Sequence, residues 1–96
     1  MVIQREYKAM LSHKLDQLNH QSYTVLERWE LLSWYGRERV TNVVWRDIVE
    51  LWESLDWTGV KGGAPTIGVI KTDETTSPQK FVLVRMDSIS PVAEFV

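Results

Sequence analysis

Two histidines and one aspartate are the side chains of this sequence best suited by type and spacing to bind a metal ion. His13, Asp16 and His20 are three and four residues apart, a spacing that places them on one side of a helix. Imidazole and carboxylate groups are reasonable ligands for zinc or nickel. These three residues fall on the predicted solvent side of the helix, and exposed histidines at such positions usually bind no metal. We therefore expect no metal and no other cofactor.

The sequence contains no recognisable arrangement for covalent or acid–base catalysis. It has no cysteine, which removes disulfides, thiolate zinc sites and cysteine nucleophiles. Its serines follow no nucleophile motif, and acid–base catalysis needs perturbed carboxylates in a pocket, which a sequence does not reveal. The glycine-rich stretch 59–63 lacks the Gly-Lys-Ser/Thr ending of a phosphate-binding loop. We therefore expect a protein that is not an enzyme.

Tryptophan is the second unusual feature, with five residues in a chain of 96. An indole offers a large, rigid apolar surface and one hydrogen-bond donor, and it is enriched where proteins contact one another. Trp29 has apolar neighbours at helical spacing, which predicts a core position. Trp34 and Trp45 lie away from the tightest apolar stripe of their helices. We predict a protein-interaction surface that includes Trp34, Trp45, Val49 and Trp52.

Length and composition restrict the architecture that can position these side chains. Residues 1–96 make one domain of ordinary globular composition, 44% apolar and 25% charged. The formal charge is −2, whereas a nucleic-acid-binding domain is usually basic. No apolar run approaches the roughly 18 residues of a membrane span, and the first residues do not follow the pattern of a signal peptide. With the absence of cysteine, these features predict a cytoplasmic protein without a membrane partner.

The first 56 residues have helical periodicity. The pattern predicts three helices, whose ranges are about 3–18, 23–35 and 43–55. Thr24 and Glu27 have the spacing of a capping box that would begin the second helix, and Gly36 follows its end. This helix is apolar in nearly every direction, so it must be covered all round or meet a partner.

The rest of the chain has the pattern of strands and turns. Residues 57–65, with three glycines and one proline, form a linker that cannot continue a helix. The β part, 66–96, contains two segments rich in β-branched residues, 66–71 and 80–86, and the polar stretch between them predicts a hairpin turn. Residues 92–96 leave room for a third short strand. The strand at 80–86 is apolar on both faces, so it should be central or covered on both sides.

The predicted fold is α+β: three helices followed by an antiparallel β-hairpin, an order that resembles that of winged-helix domains. The resemblance is limited to this order, and it implies a recognition helix, here the third, that enters the major groove of DNA. The charged residues on or beside this helix are Arg46, Asp47, Glu50, Glu53 and Asp56. One positive and four negative charges would be repelled by phosphate groups, so nucleic acid is disfavoured as a partner.

We expect a small non-enzymatic protein-interaction module that contacts a protein partner or itself, with a homodimer favoured, through the tryptophan-rich helical surface. The alternative function is that of a winged-helix nucleic-acid-binding regulator. Its binding residues would flank the connection between the second and third helices or lie on the hairpin, and they are Arg37, Arg39, Lys71, Lys80 and Arg85.

Overall fold

A computed structural model of the protein describes residues 3–37, 39–71 and 79–95. The described helices are α1 (Lys8–Gln21), α2 (Arg28–Tyr35) and α3 (Asn42–Glu53). The described strands are β1 (Tyr23–Glu27), β2 (Ile67–Lys71) and β3 (Lys80–Arg85). Short 3₁₀ turns lie at Arg5–Tyr7, Met86–Ser88 and Val92–Phe95. The predicted α+β class is confirmed.

The three strands form one antiparallel sheet in the order β1–β3–β2. In the register of the sheet, Leu26 of β1 lies opposite Phe81 of β3, and Gly68 of β2 lies opposite Val84 of β3. β3 is therefore hydrogen-bonded on both sides, which confirms the central position predicted for the strand at 80–86. The third strand predicted at 92–96 is wrong, because Val92–Phe95 form a 3₁₀ turn. The third strand of the sheet is β1, which lies between α1 and α2.

The second helix begins at Arg28, five residues later than the sequence pattern predicts, because β1 precedes it. Ser22 ends α1 in the left-handed conformation, with φ of 72°, and this turns the chain into the strand. The capping box also moves by three residues: the amide of Glu27 donates a hydrogen bond to Oε1 of Glu30, at 3.0 Å. The predicted pairing of Thr24 with Glu27 is therefore wrong, since Thr24 lies within β1.

Because side chains alternate along a strand, the sheet has two faces of different character. The inner face packs on the helices, and its buried side chains are Thr24, Leu26, Phe81 and Leu83. The opposite face is called the outer face below. Its side chains, from the register of the strands, are Tyr23, Val25, Glu27, Ile70, Lys80, Val82 and Val84, with Gly68 contributing only backbone.

The hydrophobic core lies between the inner face and the three helices. Its helical members are Leu11, Leu15, Leu18, Leu31, Trp34, Tyr35, Val44, Ile48 and Trp52. α1 contributes one leucine stripe of period three to four, as the sequence predicts. α3 ends at Glu53, two residues before the predicted end at 55, so Leu55 lies beyond the helix and is exposed.

One buried hydrogen bond links α2 to α3. The Tyr35 hydroxyl donates to Oδ2 of Asp47 at 2.6 Å, and both residues are buried. Asp47 therefore faces the core, which removes it from the charges that α3 was predicted to present to phosphate groups. Burial, together with the hydrogen bond to the Asp47 carboxylate, raises the pKa of Tyr35 far above its ordinary value of 10.0.

We expect Tyr35→Phe to lower the free energy of unfolding by about 1–3 kcal/mol, because the variant leaves the buried Asp47 carboxylate without this donor. Urea denaturation monitored by circular dichroism measures the change. Tyr23→Phe is the matched control, since Tyr23 is 53% exposed and should tolerate the loss of its hydroxyl. Equal stability changes in the two variants would show that the bond between α2 and α3 contributes nothing.

The same bond predicts how stability depends on alkaline pH. An unfolded chain loses the Tyr35 proton near pH 10, whereas the folded chain retains it, since its pKa is raised. The unfolded state then binds fewer protons, so the free energy of unfolding falls as pH rises above about 10. Urea midpoints measured from pH 8 upwards should fall more steeply in the parent than in Tyr35→Phe. Parallel curves would contradict the assignment.

Candidate functional site

The outer face of the sheet is apolar across all three strands. Tyr23 and Ile70 are each 53% exposed, and the valines between them, Val25, Val82 and Val84, are half-buried. A sheet that packs on helices with one face commonly carries polar side chains on the solvated face. A contiguous apolar patch at such a place is a mark of an interaction site.

Met86 extends this apolar surface along β2. A Cβ atom at Gly68 would collide with the Sδ atom of Met86 and would lie close to the Val84 side chain. Met86 therefore covers the backbone of Gly68 on the outer face, and it is 47% exposed. The absence of a side chain at position 68 allows this contact, and the flexible thioether can adapt to a partner surface.

Trp29 lies at the other end of the outer face and is 65% exposed. Its indole N–H donates to Oε2 of Glu27 at 2.7 Å, and Oε1 of the same carboxylate lies 4.0 Å from Nζ of Lys80. Glu27 and Lys80 are cross-strand neighbours on the outer face. The indole is thus held at the edge of this face with its apolar ring toward solvent, which is the character of an interface anchor.

The structure reverses the predicted positions of several tryptophans. Trp29, predicted in the core, is exposed, whereas Trp34 and Trp52 are only 3% and 1% exposed. Trp52 is a member of the hydrophobic core, and its indole N–H donates to the Pro65 carbonyl at 2.8 Å, so the linker after α3 contacts this part of the helix. The prediction that Trp34 and Trp52 face a partner is therefore corrected, because both side chains are buried.

The two other residues of the predicted surface, Trp45 and Val49, differ in exposure. Val49 is 40% exposed. Trp45 is half-buried, and its ring meets the ring of Phe81 edge to face, with 4.9 Å between centroids. A contact role for Trp45 and Val49 stays a prediction, on a smaller surface than the sequence suggested.

The exposed charges of α3 are mainly acidic. Arg46, Glu50 and Glu53 are exposed, while Asp47 faces the core. Asp56, beyond the helix, accepts hydrogen bonds from Thr58, and these lower its pKa below the ordinary value of 3.8. The exposed charges on or beside α3 are thus one positive and three negative at neutral pH. Phosphate groups would still be repelled by this surface.

Arg85, one of the predicted nucleic-acid-binding residues, is occupied within the molecule. Its Nη1 donates to the Asn19 carbonyl at 2.8 Å, and Nε and Nη2 donate to the Asp87 carboxylate at 3.1 and 2.8 Å. These bonds join the end of β3 to the last turn of α1, and they hold the pKa of Asp87 below 3.8. Arg85 thus has a structural role.

The remaining basic residues of that prediction divide into two places. Lys71 is exposed at the end of β2, and Lys80 lies beside Glu27 on the outer face. Arg37 and Arg39 line one cavity between α2 and α3, together with Gly36 and Thr41. The structure therefore brings these two arginines together but does not add the hairpin residues to their cavity.

Other sites considered from the sequence show simpler contacts. Nε2 of His20 lies 3.3 Å from Oδ1 of Asp16, and both side chains are exposed. Within residues 3–37, 39–71 and 79–95, no three side chains of the metal-binding types are grouped to hold an ion. None of the helices described is long and apolar enough to cross a membrane.

We expect Arg85→Gln to lower the free energy of unfolding by about 1–3 kcal/mol, because the Asn19 carbonyl and the Asp87 carboxylate lose a charged donor. Thermal and urea denaturation measure this change. Lys71→Gln, at an exposed position near the end of the same hairpin, is the control and should leave stability unchanged. An Arg85→Gln protein as stable as the control would contradict the structural role.

Comparison with protein-family models, with curated proteins and with solved structures finds no match to this chain.

Proposed function

We propose that the protein is a small, non-enzymatic interaction module that associates with a second copy of itself through the outer face of its sheet. The observation that carries the proposal is this apolar face, on which Tyr23 and Ile70 are exposed above half-buried valines. Burying apolar surface is the main favourable term in protein association. The proposal keeps the predicted self-association but moves it from the tryptophan-rich helices to the sheet.

The charges of the outer face support a second copy as the occupant. Among the described residues, Glu27 and Lys80 are the charged ones of this face, and Nζ of Lys80 lies 4.0 Å from Oε1 of Glu27. One negative and one positive charge leave the described part of the face without a net charge that would attract an acidic or basic partner. An uncharged apolar face complements another copy of itself, and a two-fold contact between identical faces closes the assembly at a dimer.

The dimensions of the molecule support the same arrangement. The protein measures 43 × 35 × 19 Å, and its radius of gyration is 14.1 Å, compared with about 12.5 Å for a compact domain of this length. It is a thin slab of one helical layer and one sheet. A second copy on the outer face would cover the sheet on both sides, as in proteins where two sheets pack face to face.

The size of the outer face sets the expected affinity. Three strands, paired over five residues each, cover roughly 14 × 17 Å, whereas a standard interface buries about 800 Å² on each partner. Trp29 and Met86, at the two ends of the face, must therefore add contact area. Because a small interface leaves little surplus over the cost of association, we expect dissociation constants in the micromolar range.

Neighbouring residues of β2 provide a matched test of the proposal. Ile70 is 53% exposed on the outer face, and Val69 is 46% exposed on the opposite side of the same strand. Ile70→Lys should weaken dimerisation at least about tenfold, because a charge would be buried against an apolar face. Val69→Lys should leave the dimer intact. Sedimentation equilibrium of the two variants and the parent measures the dissociation constants.

Two outcomes of this experiment would contradict the proposal. One is a parent protein that stays monomeric at every accessible concentration. The other is a dimer weakened equally by Ile70→Lys and Val69→Lys, which would place the contact elsewhere. Circular dichroism of both variants is the folding control, since each position is exposed and should tolerate lysine without unfolding.

The tryptophans allow a second, independent test. Trp29→Ala should weaken the dimer and leave the free energy of unfolding of the monomer nearly unchanged, because the ring is 65% exposed. Trp52→Ala should instead destabilise the fold by about 3–5 kcal/mol, since it removes a buried indole. Dilution-dependent sedimentation and urea denaturation separate the two effects. A Trp29→Ala variant with parental dimerisation would remove Trp29 from the interface.

The alternative function is nucleic-acid binding, and the arrangement of elements favours it as the second candidate. The β2–β3 hairpin follows α3, as in winged-helix domains, and β1 completes the sheet. This function requires affinity for DNA or RNA that falls steeply with salt. It also requires weaker binding when Lys71 and Lys80 are replaced by glutamine. Undetectable binding at low salt would eliminate the alternative.

A further inference from the structure

A cavity of about 420 Å³ lies between the end of α2 and the start of α3. Gly36, Arg37, Arg39 and Thr41 line it. Arginine guanidinium groups match the geometry of phosphate oxygens and bind them through paired, charge-assisted hydrogen bonds. Two arginines on one cavity wall therefore give this place a chemistry that the outer face of the sheet does not have.

Thr41 adds an independent observation at the same cavity. It precedes α3, where a threonine hydroxyl commonly accepts a hydrogen bond from an amide of the first helical turn. Thr41 makes no such bond. Its Oγ1 atom is buried and has no hydrogen-bond partner. Among the described residues, it is the one buried side-chain nitrogen or oxygen atom without a partner. A hydroxyl enclosed without a partner in the chain is unfavourable for folding unless a group from outside the chain, water or a ligand, meets it.

We infer that this cavity binds an oxyanion of the phosphate class. The guanidinium groups supply positive charge, and the start of the 12-residue helix α3 adds the partial positive charge of a helix N-terminus. Thr41 lines the cavity, and its hydroxyl makes no hydrogen bond that a ligand would have to replace. The anion would then receive hydrogen bonds from two kinds of donor.

The volume of the cavity indicates what can carry the phosphate group. Its volume of about 420 Å³ is within the range of small-molecule pockets, so it has room for a phosphate group and for the molecule that carries it. A phosphorylated small molecule and the backbone of a nucleic acid share this chemistry. The site is separate from the outer face, so the inference goes beyond the proposed self-association and does not depend on it.

Isothermal titration with inorganic phosphate tests the site directly. Arg39→Gln should weaken phosphate binding by about tenfold or more, the effect of losing a charged hydrogen bond. Arg46→Gln is the matched control, because Arg46 is an exposed arginine of α3 that does not line the cavity. Equal losses in the two variants would reveal general charge attraction, and an absence of saturable binding to the parent would overturn the inference.

Thr41→Val separates a ligand-binding role from a structural one. The variant removes the hydroxyl and keeps the shape of the side chain. If Oγ1 serves the anion, phosphate binding weakens by about tenfold, while the melting temperature without phosphate stays the same or rises, because an unpaired buried group is lost. A lower melting temperature with unchanged phosphate affinity would show that Thr41 only caps the helix and would contradict the inference.

A duplex oligonucleotide and a phosphate monoester distinguish the two sources of the anion. If the oligonucleotide binds the parent and loses affinity in Arg39→Gln and Thr41→Val, the natural ligand is a nucleic-acid backbone. If the monoester competes with inorganic phosphate and the oligonucleotide does not, the ligand is a phosphorylated small molecule. Failure of both compounds to compete with inorganic phosphate would contradict a site for phosphate esters.

Discussion

The pairing of β1 with β3 joins the helical half of the chain to the hairpin. Five residues between α1 and α2 become the third strand of the sheet, with Leu26 opposite Phe81 and Thr24 opposite Leu83. These four side chains close the core against the helices. Arg85 strengthens the same junction, because it binds the Asn19 carbonyl at the last turn of α1. Without this pairing, Thr24 and Leu26 would be missing from the inner face, and one edge of β3 would be unpaired.

The same pairing also creates the outer face. A five-residue strand that buries Thr24 and Leu26 must direct Tyr23, Val25 and Glu27 the other way. The apolar side chains of β1 and β3 then lie side by side on a sheet whose described helices pack on the opposite face. No described helix lies over the apolar side chains of the outer face, and this is the reason for proposing that a second copy covers it.

The sequence was sufficient for the class of the fold, the hairpin, the central strand and the stripe of α1, because these depend on local periodicity and turn residues. It was insufficient at Tyr23–Glu27. These residues alternate with the period of a strand, yet the spacing of Thr24 and Glu27 matches a helix cap, and only pairing with β3 decides between the two. Because Tyr23–Glu27 were predicted as the start of a helix, Trp29 was given helical neighbours and a core position. In the structure Trp29 lies in the first turn of α2, just after β1, and is exposed. Trp52 was misplaced because periodicity does not show which helix face a linker covers, and Trp34 was misplaced because α2 is apolar in nearly every direction, so that periodicity does not show which of its faces is buried.

Dimerisation through the outer face is tested most directly by an isotope-filtered NMR experiment on a mixed sample of labelled and unlabelled protein. If identical outer faces meet, intermolecular contacts should connect the rings of Tyr23 and Trp29 with methyl groups of Ile70, Val82 and Val84. Methyl groups of the core should show none. Two results would contradict a dimer formed by the outer faces. One is a set of intermolecular contacts confined to Trp45 and Val49 on α3, and the other is a complete absence of intermolecular contacts at concentrations well above the micromolar range.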